Sequence, residues 1–365
     1  MSAFRLIYPG RSRLHRNRAN LIQTLHTVNA FREFGLDVTL YLPPWPRSIQ
    51  LNRRLQDFGI DAPLDIRQSR LLHSRWKLWP YIKFYKPYLR KADAIYTRSV
   101  KLSLLLAAEG LPHYLEVHEA GRELIGLSYL RAVVEYHQQG LIQWLFPISR
   151  ACAEVLLQAG AVPERILVCP SGVRLESFGQ MAPFRPECLA SPQIVYLGRL
   201  SYDHGLAIFQ ALAASNLAQI TLVGEQENMV EPSTSLRVMP FVRHRETPQW
   251  WGKTDLILLP YQRSLAHIDS ISPIKLFEAM AAGRPIIASD LPALREVLEH
   301  EKTALLVEPG DANGWIAAVR RLQNEPELAC RLAETARQKA QDYSWERRAE
   351  NIIKACGWLT QGSSD

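Results

Sequence analysis

Cysteine is scarce and unpatterned. The five residues Cys152, Cys169, Cys188, Cys330 and Cys356 are odd in number, widely spaced, and form no CxxC or Cys/His ligand spacing in a chain of 365. A disulfide framework and a structural zinc site are therefore not expected. Long apolar runs are missing as well: no stretch approaches the roughly 18 residues that cross a bilayer, and the run before Pro9 reads as a first strand rather than a signal-peptide core. A reducing, cytoplasmic location is the expectation. Neither half has a Gly-x-Gly-x-x-Gly turn after its first strand, which argues against an NAD dehydrogenase. Repeats and low-complexity tracts are absent, which sets solenoids aside. No acidic cluster has metal-ligand spacing, so no metal and no cofactor are expected. The balance of 43 basic against 36 acidic residues gives only +7. That excess suits phosphate-bearing ligands or an anionic membrane face and is too small to indicate nucleic-acid binding.

Short apolar runs instead alternate with amphipathic segments of helical length, the pattern of parallel strands joined by crossover helices. In the first half Phe4 to Tyr8, Asp37 to Leu42, Ala94 to Tyr96, Tyr114 to Val117 and Trp144 to Ile148 read as strands. Asn17 to Phe34 reads as a helix, with Leu21, Leu25, Val28 and Phe31 on one face and Gly35 placed to end it. The second half repeats the alternation, with strands expected at Gln193 to Leu197, Ile220 to Val223, Leu256 to Leu259, Pro285 to Ala288 and Ala304 to Val307. The length and 47% hydrophobic composition fit two domains. The expected division is residues 1–178, a proline-rich linker over 179–192, a second domain over 193–344, and a terminal segment 345–365.

The densest chemistry lies in Ser272-Pro273-Ile274-Lys275-Leu276-Phe277-Glu278, read as a loop entering a helix that stops at Gly283. Ser272 and Pro273 stand where an N-cap and first-turn residue would stand, leaving backbone N–H groups free for phosphate oxygens. Lys275 adds positive charge, and Glu278, three residues on, can accept hydrogen bonds from the vicinal hydroxyls of a ribose. Alone, this heptad more often marks an ordinary capped helix with a solvated Lys and Glu.

In context, SPIKLFEAMAAGRPIIASDLPALREVL closely resembles the donor-nucleotide signature of GT-B glycosyltransferases, specifically the large retaining family 4 group. Four further resembling segments follow the family's order: FPISRACAEVLLQAGAVPERILVCPSGVRLESF at 146–178, VYLGRLSYDHGL at 195–206, TPQWWGKTDLILLPY at 247–261 and YSWERRAENI at 343–352. The resemblance implies an α/β protein of two Rossmann-like, doubly wound domains facing a cleft, with the terminal helix crossing back to the first domain. It implies metal-independent transfer of a sugar from a nucleotide-diphosphate donor to a sugar, glycolipid or polysaccharide hydroxyl, with retention. Arg199 and Lys275 would bind the diphosphate and Glu278 the ribose, with Gly10, Gly198, His204, Ser270, Ser272, Pro273, Ile274 and Leu276 completing the donor contacts. His118, in LEVHEAGR, would reach the transferred sugar, although a histidine after a strand is as often structural. Arg16, Arg98 and Glu119 are candidate acceptor contacts.

Two positions depart from the resembling pattern. His204 stands before Gly205 where the family often has Lys, making a second phosphate cation dependent on protonation. Ser270 stands where the family often has a first glutamate, associated with the transferred sugar, and Asp269 is one place off register. These departures keep open a second reading, a GT-B subunit without strong activity that scaffolds a partner. A nucleotide-sugar epimerase or a glycogen-type phosphorylase is a further rival, the latter needing a pyridoxal-lysine context that is not found.

One segment is biased in charge. From Arg67 to Lys91 there are eight Lys or Arg and no Asp or Glu, interleaved with Trp76, Trp79, Tyr81, Phe84, Tyr85 and Tyr88. It reads either as a peripheral contact with an anionic membrane or as a helix pair with aromatics inside and cations outside.

Overall fold

The structure is a computed structural model that describes residues 3–118 and 126–358. The chain divides into two compact units, the first formed by residues 1–172 with 345–365 and the second by residues 173–344.

The first unit contains strands β1 (Arg5–Pro9), β2 (Asp37–Leu42), β3 (Asp65–Gln68), β4 (Ala94–Thr97), β5 (His113–Val117) and β6 (Ile142–Pro147). Helices α1 (Ala19–Glu33), α2 (Leu51–Gln56), α3 (Leu78–Leu89), α4 (Val100–Ala108), α5 (Gly126–Gln138) and α6 (Arg150–Gln158) connect or follow them. All pairings are parallel, in the order β3-β2-β1-β4-β5-β6. Alternation along the strands sends side chains to opposite faces. Ile7, Tyr41 and Ile95 pack with α3 and α4. On α1, Leu21, Leu25, Val28 and Phe31 are buried, as the spacing predicts. Gly35, at φ +86°, takes the left-handed conformation that ends this helix, its N–H donating to Arg32 O.

In the second unit β7 (Gln193–Leu197), β8 (Gln219–Val223) and β9 (Leu236–Met239) form one parallel ladder, and β10 (Ile257–Leu259), β11 (Ile286–Ser289) and β12 (Leu305–Val307) another. Its helices are α7 (Leu206–Ala214), α8 (Thr247–Trp251), α9 (Ile274–Ala281), α10 (Pro292–Arg295), α11 (Ala312–Asn324) and α12 (Pro326–Lys339). β7 and β10 are stitched where Asp255 N donates to Gln193 O at 2.8 Å and Val195 N donates to Thr254 Oγ1 at 3.0 Å. The resulting order, β9-β8-β7-β10-β11-β12, repeats that of the first unit. Val195, Leu197, Ile257, Leu259 and Ile286 face one core with α9, while Ile194, Tyr196, Leu256, Leu258 and Ile287 face the other with α7, α11 and α12. These strands are apolar on both faces because helices cover both.

Two expectations need correction. Strands β3 and β9 have no counterpart in the sequence reading: their burial patterns, with one and one inward residue in four, leave little apolar signal. The boundary lies at 172–173. Residues 173–192, expected to close the first domain and act as a linker, are part of the second unit, where Val173, Phe178 and Leu189 are buried in its cores. Proline richness there marks short 3-10 turns at Leu175–Phe178 and Pro186–Ala190, not an open tether. The terminal helix α13 (Trp345–Cys356) belongs to the first unit. It buries Trp345, Arg348, Ala349, Ile352 and Ile353 there, and Trp358 stacks edge-on against Tyr114 with centroids 4.9 Å apart.

Candidate functional site

In the second unit the candidate residues gather where β7 ends and α9 begins. Gly198 and Gly224, at φ +152° and +153°, close the ends of neighbouring strands β7 and β8 in conformations that favour glycine. A Cβ on Gly224 would lie 1.8 Å from Gly198 O, and one on Gly198 would lie 2.4 Å from Lys275 Nζ. The two glycines thus let the Gly198-Arg199 turn lie against the lysine amine.

Helix α9 begins at Ile274 with Pro273 as its N-cap, in extended conformation and without a side-chain cap. This is one residue later than the sequence reading, which placed Ser272 at the cap and Pro273 in the first turn. Its first N–H groups have no intrahelical acceptor by position, and the helix ends at Gly283, at φ +61°. Lys275 Nζ lies 3.9 Å from the centroid of the Tyr196 ring and 5.7 Å from that of Tyr261. Burial depresses the lysine, opposed by Glu278 and reinforced by Arg199, bringing it down to about 7.

Glu278, 6% exposed, is held from three sides. His244 Nε2 lies 2.9 Å from Oε1, Trp251 Nε1 donates to Oε2 at 3.2 Å, and Thr247 Oγ1 donates to Oε1 at 3.4 Å. Burial works against its charge, but the hydrogen bonds and the nearby Lys275 prevail and hold the carboxyl below its ordinary value. The result is a buried, ionised acceptor next to an amine on the same helix face. Arg199 is exposed and pairs with Glu227 at 3.1 Å, a surface contact that is readily exchanged for another anion.

His204, expected to add charge only when protonated, is uncharged in this environment. It is buried, with Nδ1 2.8 Å from Ser201 Oγ. Desolvation, with Lys275 and Arg199 close by, lowers it to about 3, so it is neutral at physiological pH. Ser270 ends a 3-10 turn and donates from Oγ to His267 O at 3.3 Å. Ser272 and Ile274 are half-buried at the start of α9, and Leu276 points into the core.

In the first unit, Gly10 follows β1 and donates from N to Tyr41 O at 2.8 Å. Arg16 is exposed, and Arg98 is tied to Asn20 O at 2.8 Å. Glu119 lies outside the described residues. His118 follows β5 and hydrogen-bonds through Nε2 to Glu116 Oε1. Glu116 is fully buried and also meets Gln23 Nε2 at 2.9 Å, Tyr96 OH at 2.5 Å and Arg348 of α13 at 2.8 Å. Burial is the largest influence on Glu116, yet the cations around it hold it well below the usual carboxylate range. Burial, with Arg98 nearby, outweighs Glu116 at His118 and lowers the imidazole to about 4.

The sequence reading missed His244, Thr247 and Trp251 around Glu278, and Gln23, Tyr96, Glu116 and Arg348 around His118. Two signals were present in TPQWW and in SWERRAEN, where Thr247, Trp251 and Arg348 lie. His244 carries no local mark, since it is joined to Glu278 only by folding, and Glu116, although two residues before His118, gives no sign in the sequence of its burial or of its distant partners.

Residues 191–325 match the family described as Glycosyl transferases group 1. Among curated proteins the chain is 29% identical over 171 residues to glycogen synthase of Mycobacterium tuberculosis, covering 42% of this chain and 39% of that protein. It is 27% identical over 198 residues to the amylovoran biosynthesis glycosyltransferase AmsK of Erwinia amylovora, covering 49% and 47%. The chain thus spans about half the length of these relatives or less. Among solved structures it is similar to HepE of Anabaena, crystallised with UDP and glucose, with TM-score 0.72 at 16% identity over 97% of this chain and 99% of that one. It is also similar to sucrose-phosphate synthase of Thermosynechococcus elongatus, with TM-score 0.76 at 16% identity over 99% and 100%. The chain thus has the GT-B fold of these solved structures along its length, and residues 191–325 in its second unit resemble the glycosyl transferases group 1 family.

Proposed function

We propose that the protein is a glycosyltransferase that takes a sugar from a nucleoside-diphosphate sugar and attaches it to an acceptor hydroxyl with retention of configuration. The observation that carries this reading is the pair on α9: an amine at position 275, enclosed by Tyr196 and the Gly198 turn, one helical turn from the buried carboxylate of Glu278. A nucleoside diphosphate presents complementary groups, anionic oxygens and a vicinal diol. In the reaction the anomeric C–O bond breaks, its electron pair stays on the diphosphate, and the acceptor oxygen bonds to the same face while its proton passes to an oxygen of the leaving diphosphate. Arg199 and Lys275 stabilise the charge that builds on the leaving group, while Glu278 fixes the ribose. HepE was crystallised with UDP and with UDP-glucose, which makes uridine the first base to try. The first unit, with His118, takes the acceptor side.

The test is a thermal-shift screen against UDP, GDP, ADP, CMP and their sugar conjugates, repeated with Glu278→Ala, followed by donor hydrolysis assays. One nucleotide is expected to raise the melting temperature in the native protein only, and its sugar conjugate to be hydrolysed. The Ser270 hydroxyl, where the resembling family often has a carboxylate, and the neutral His204 favour a second reading, an inactive GT-B subunit. A nucleotide-dependent shift without hydrolysis or transfer would select it.

A further inference from the structure

The segment before and along α3 takes no part in the reaction just proposed. Its inward side is ordinary: Leu78, Tyr81, Ile82 and Leu89 are buried in the first unit's core with Leu72 and Tyr41. Its outward side is not. A surface helix usually turns polar residues to water, yet Trp79 is 53% exposed and Phe84 75%, and Trp76, just upstream, is 78% exposed. The spacing of Trp79, Lys83, Phe84, Pro87, Arg90 and Lys91 sets them on one arc opposite the buried residues. Exposed Lys77, Arg90 and Lys91 border the rings, and no Asp or Glu occurs between 67 and 91. Lys83 and Lys86 pair with Glu109 at 2.8 Å, and Lys83 Nζ also lies 5.2 Å from the Trp79 ring.

We propose that this face docks on the surface of an anionic lipid bilayer, with Trp76, Trp79 and Phe84 at the headgroup level and Lys77, Arg90 and Lys91 on lipid phosphates. The reasoning is one of chemical complementarity. A bilayer interface offers an apolar layer and an anionic layer within a few ångströms of each other, the two chemistries this arc presents together. A second copy of the chain meeting it through a two-fold axis would set the same cations against each other. A duplex nucleic acid would satisfy the cations but leave the rings in water.

The experiment is flotation of the full chain with vesicles of phosphatidylcholine alone or with about one third phosphatidylglycerol, at low and high salt. Binding to the anionic vesicles is expected, at least about tenfold above the neutral ones and weakened by salt. Charge reversal at Lys77→Glu, Arg90→Glu and Lys91→Glu together should lower the partition coefficient by about 100-fold. Trp76→Ser, Trp79→Ser and Phe84→Ser together should lower it at least about tenfold, whereas Trp79→Tyr retains it. Quenching of tryptophan emission by brominated-acyl lipids in the unsubstituted protein gives a readout free of any folding defect, and a clear decrease is expected. Absence of both flotation and quenching overturns the proposal. So does a dimer abolished by the aromatic substitutions, or an oligonucleotide bound more tightly than the vesicles. None of these readouts depends on nucleotide, so failure here leaves the proposed transferase reading untouched.

Discussion

At the level of single residues, Lys275 and Glu278 carry the tests of the proposed donor site. The amine titrates near 7 in the free protein because burial disfavours its charge. A bound diphosphate favours the ammonium, so binding above neutrality takes up a proton. Affinity for the nucleotide found in the thermal screen should therefore fall as pH rises from about 7 to about 9, approaching tenfold per unit. Calorimetric titration across that range measures it, and Lys275→Arg should flatten the profile because a guanidinium keeps its charge. Glu278→Gln keeps the shape but removes the charge and one acceptor. Nucleotide affinity should drop about tenfold, roughly 1.4 kcal/mol, with little change in melting temperature.

Arg348 is the residue-scale test in the first unit. It and Glu116 form a buried ion pair, and removing one partner of such a pair leaves the other charge stranded, typically costing about 3–5 kcal/mol. Arg348→Met should lower the melting temperature by roughly 10 °C. Adding Glu116→Gln should recover part of the loss, since the uncompensated charge is then gone. Equal destabilisation in the single and double variants would contradict this account of the cluster.

Among the elements, the turn after β7 depends on two glycines that differ in what a methyl would meet. At Gly198 the added carbon meets the mobile end of Lys275, while at Gly224 it meets the backbone of Gly198. Gly198→Ala should therefore fold, at the cost of about 1–3 kcal/mol for a side chain at this positive φ, and displace the amine, weakening nucleotide binding. Gly224→Ala cannot be accommodated by a side-chain movement and should cost both. Thermal melts with and without the nucleotide separate the two. The shift of the α9 N-cap from Ser272 to Pro273 belongs to this scale too. Ser272 precedes a proline and is biased to extended backbone, and Pro273, fixed in φ, remains free to take the extended ψ it adopts.

For the whole molecule, three histidines kept neutral by burial link stability to pH. His113 and His118 are lowered to about 4 and His204 to about 3. In the unfolded chain histidines titrate near 6.5, so between that value and about 4 the unfolded state binds more protons. Stability is full above about pH 6.5 and falls as pH drops towards 4. Glu116, whose carboxyl is depressed, contributes the same sign only at lower pH. Thermal melts from about pH 7 to about pH 4.5 should show a steady decline, less steep in His113→Asn. An unchanged melting temperature over that interval would refute the burial argument.

The repeating strand-helix alternation, the helix stop at Gly35, the group 1 signature and the pairing of Lys275 with Glu278 were determined by sequence alone. Each rests on period, local turn chemistry or residues a few positions apart, which a linear reading can see. Other features depend on contacts between residues far apart in the chain: Thr254 joining β7 to β10, His244 and Trp251 around Glu278, and Arg348 reaching Glu116 from the far end. So does the protonation of His204, which sits beside a glycine like a phosphate ligand but is desolvated by its neighbours in space. Sequence supplied the groups and their short-range order, while only the tertiary structure decided which are buried together, because burial and charge proximity are properties of the packed chain.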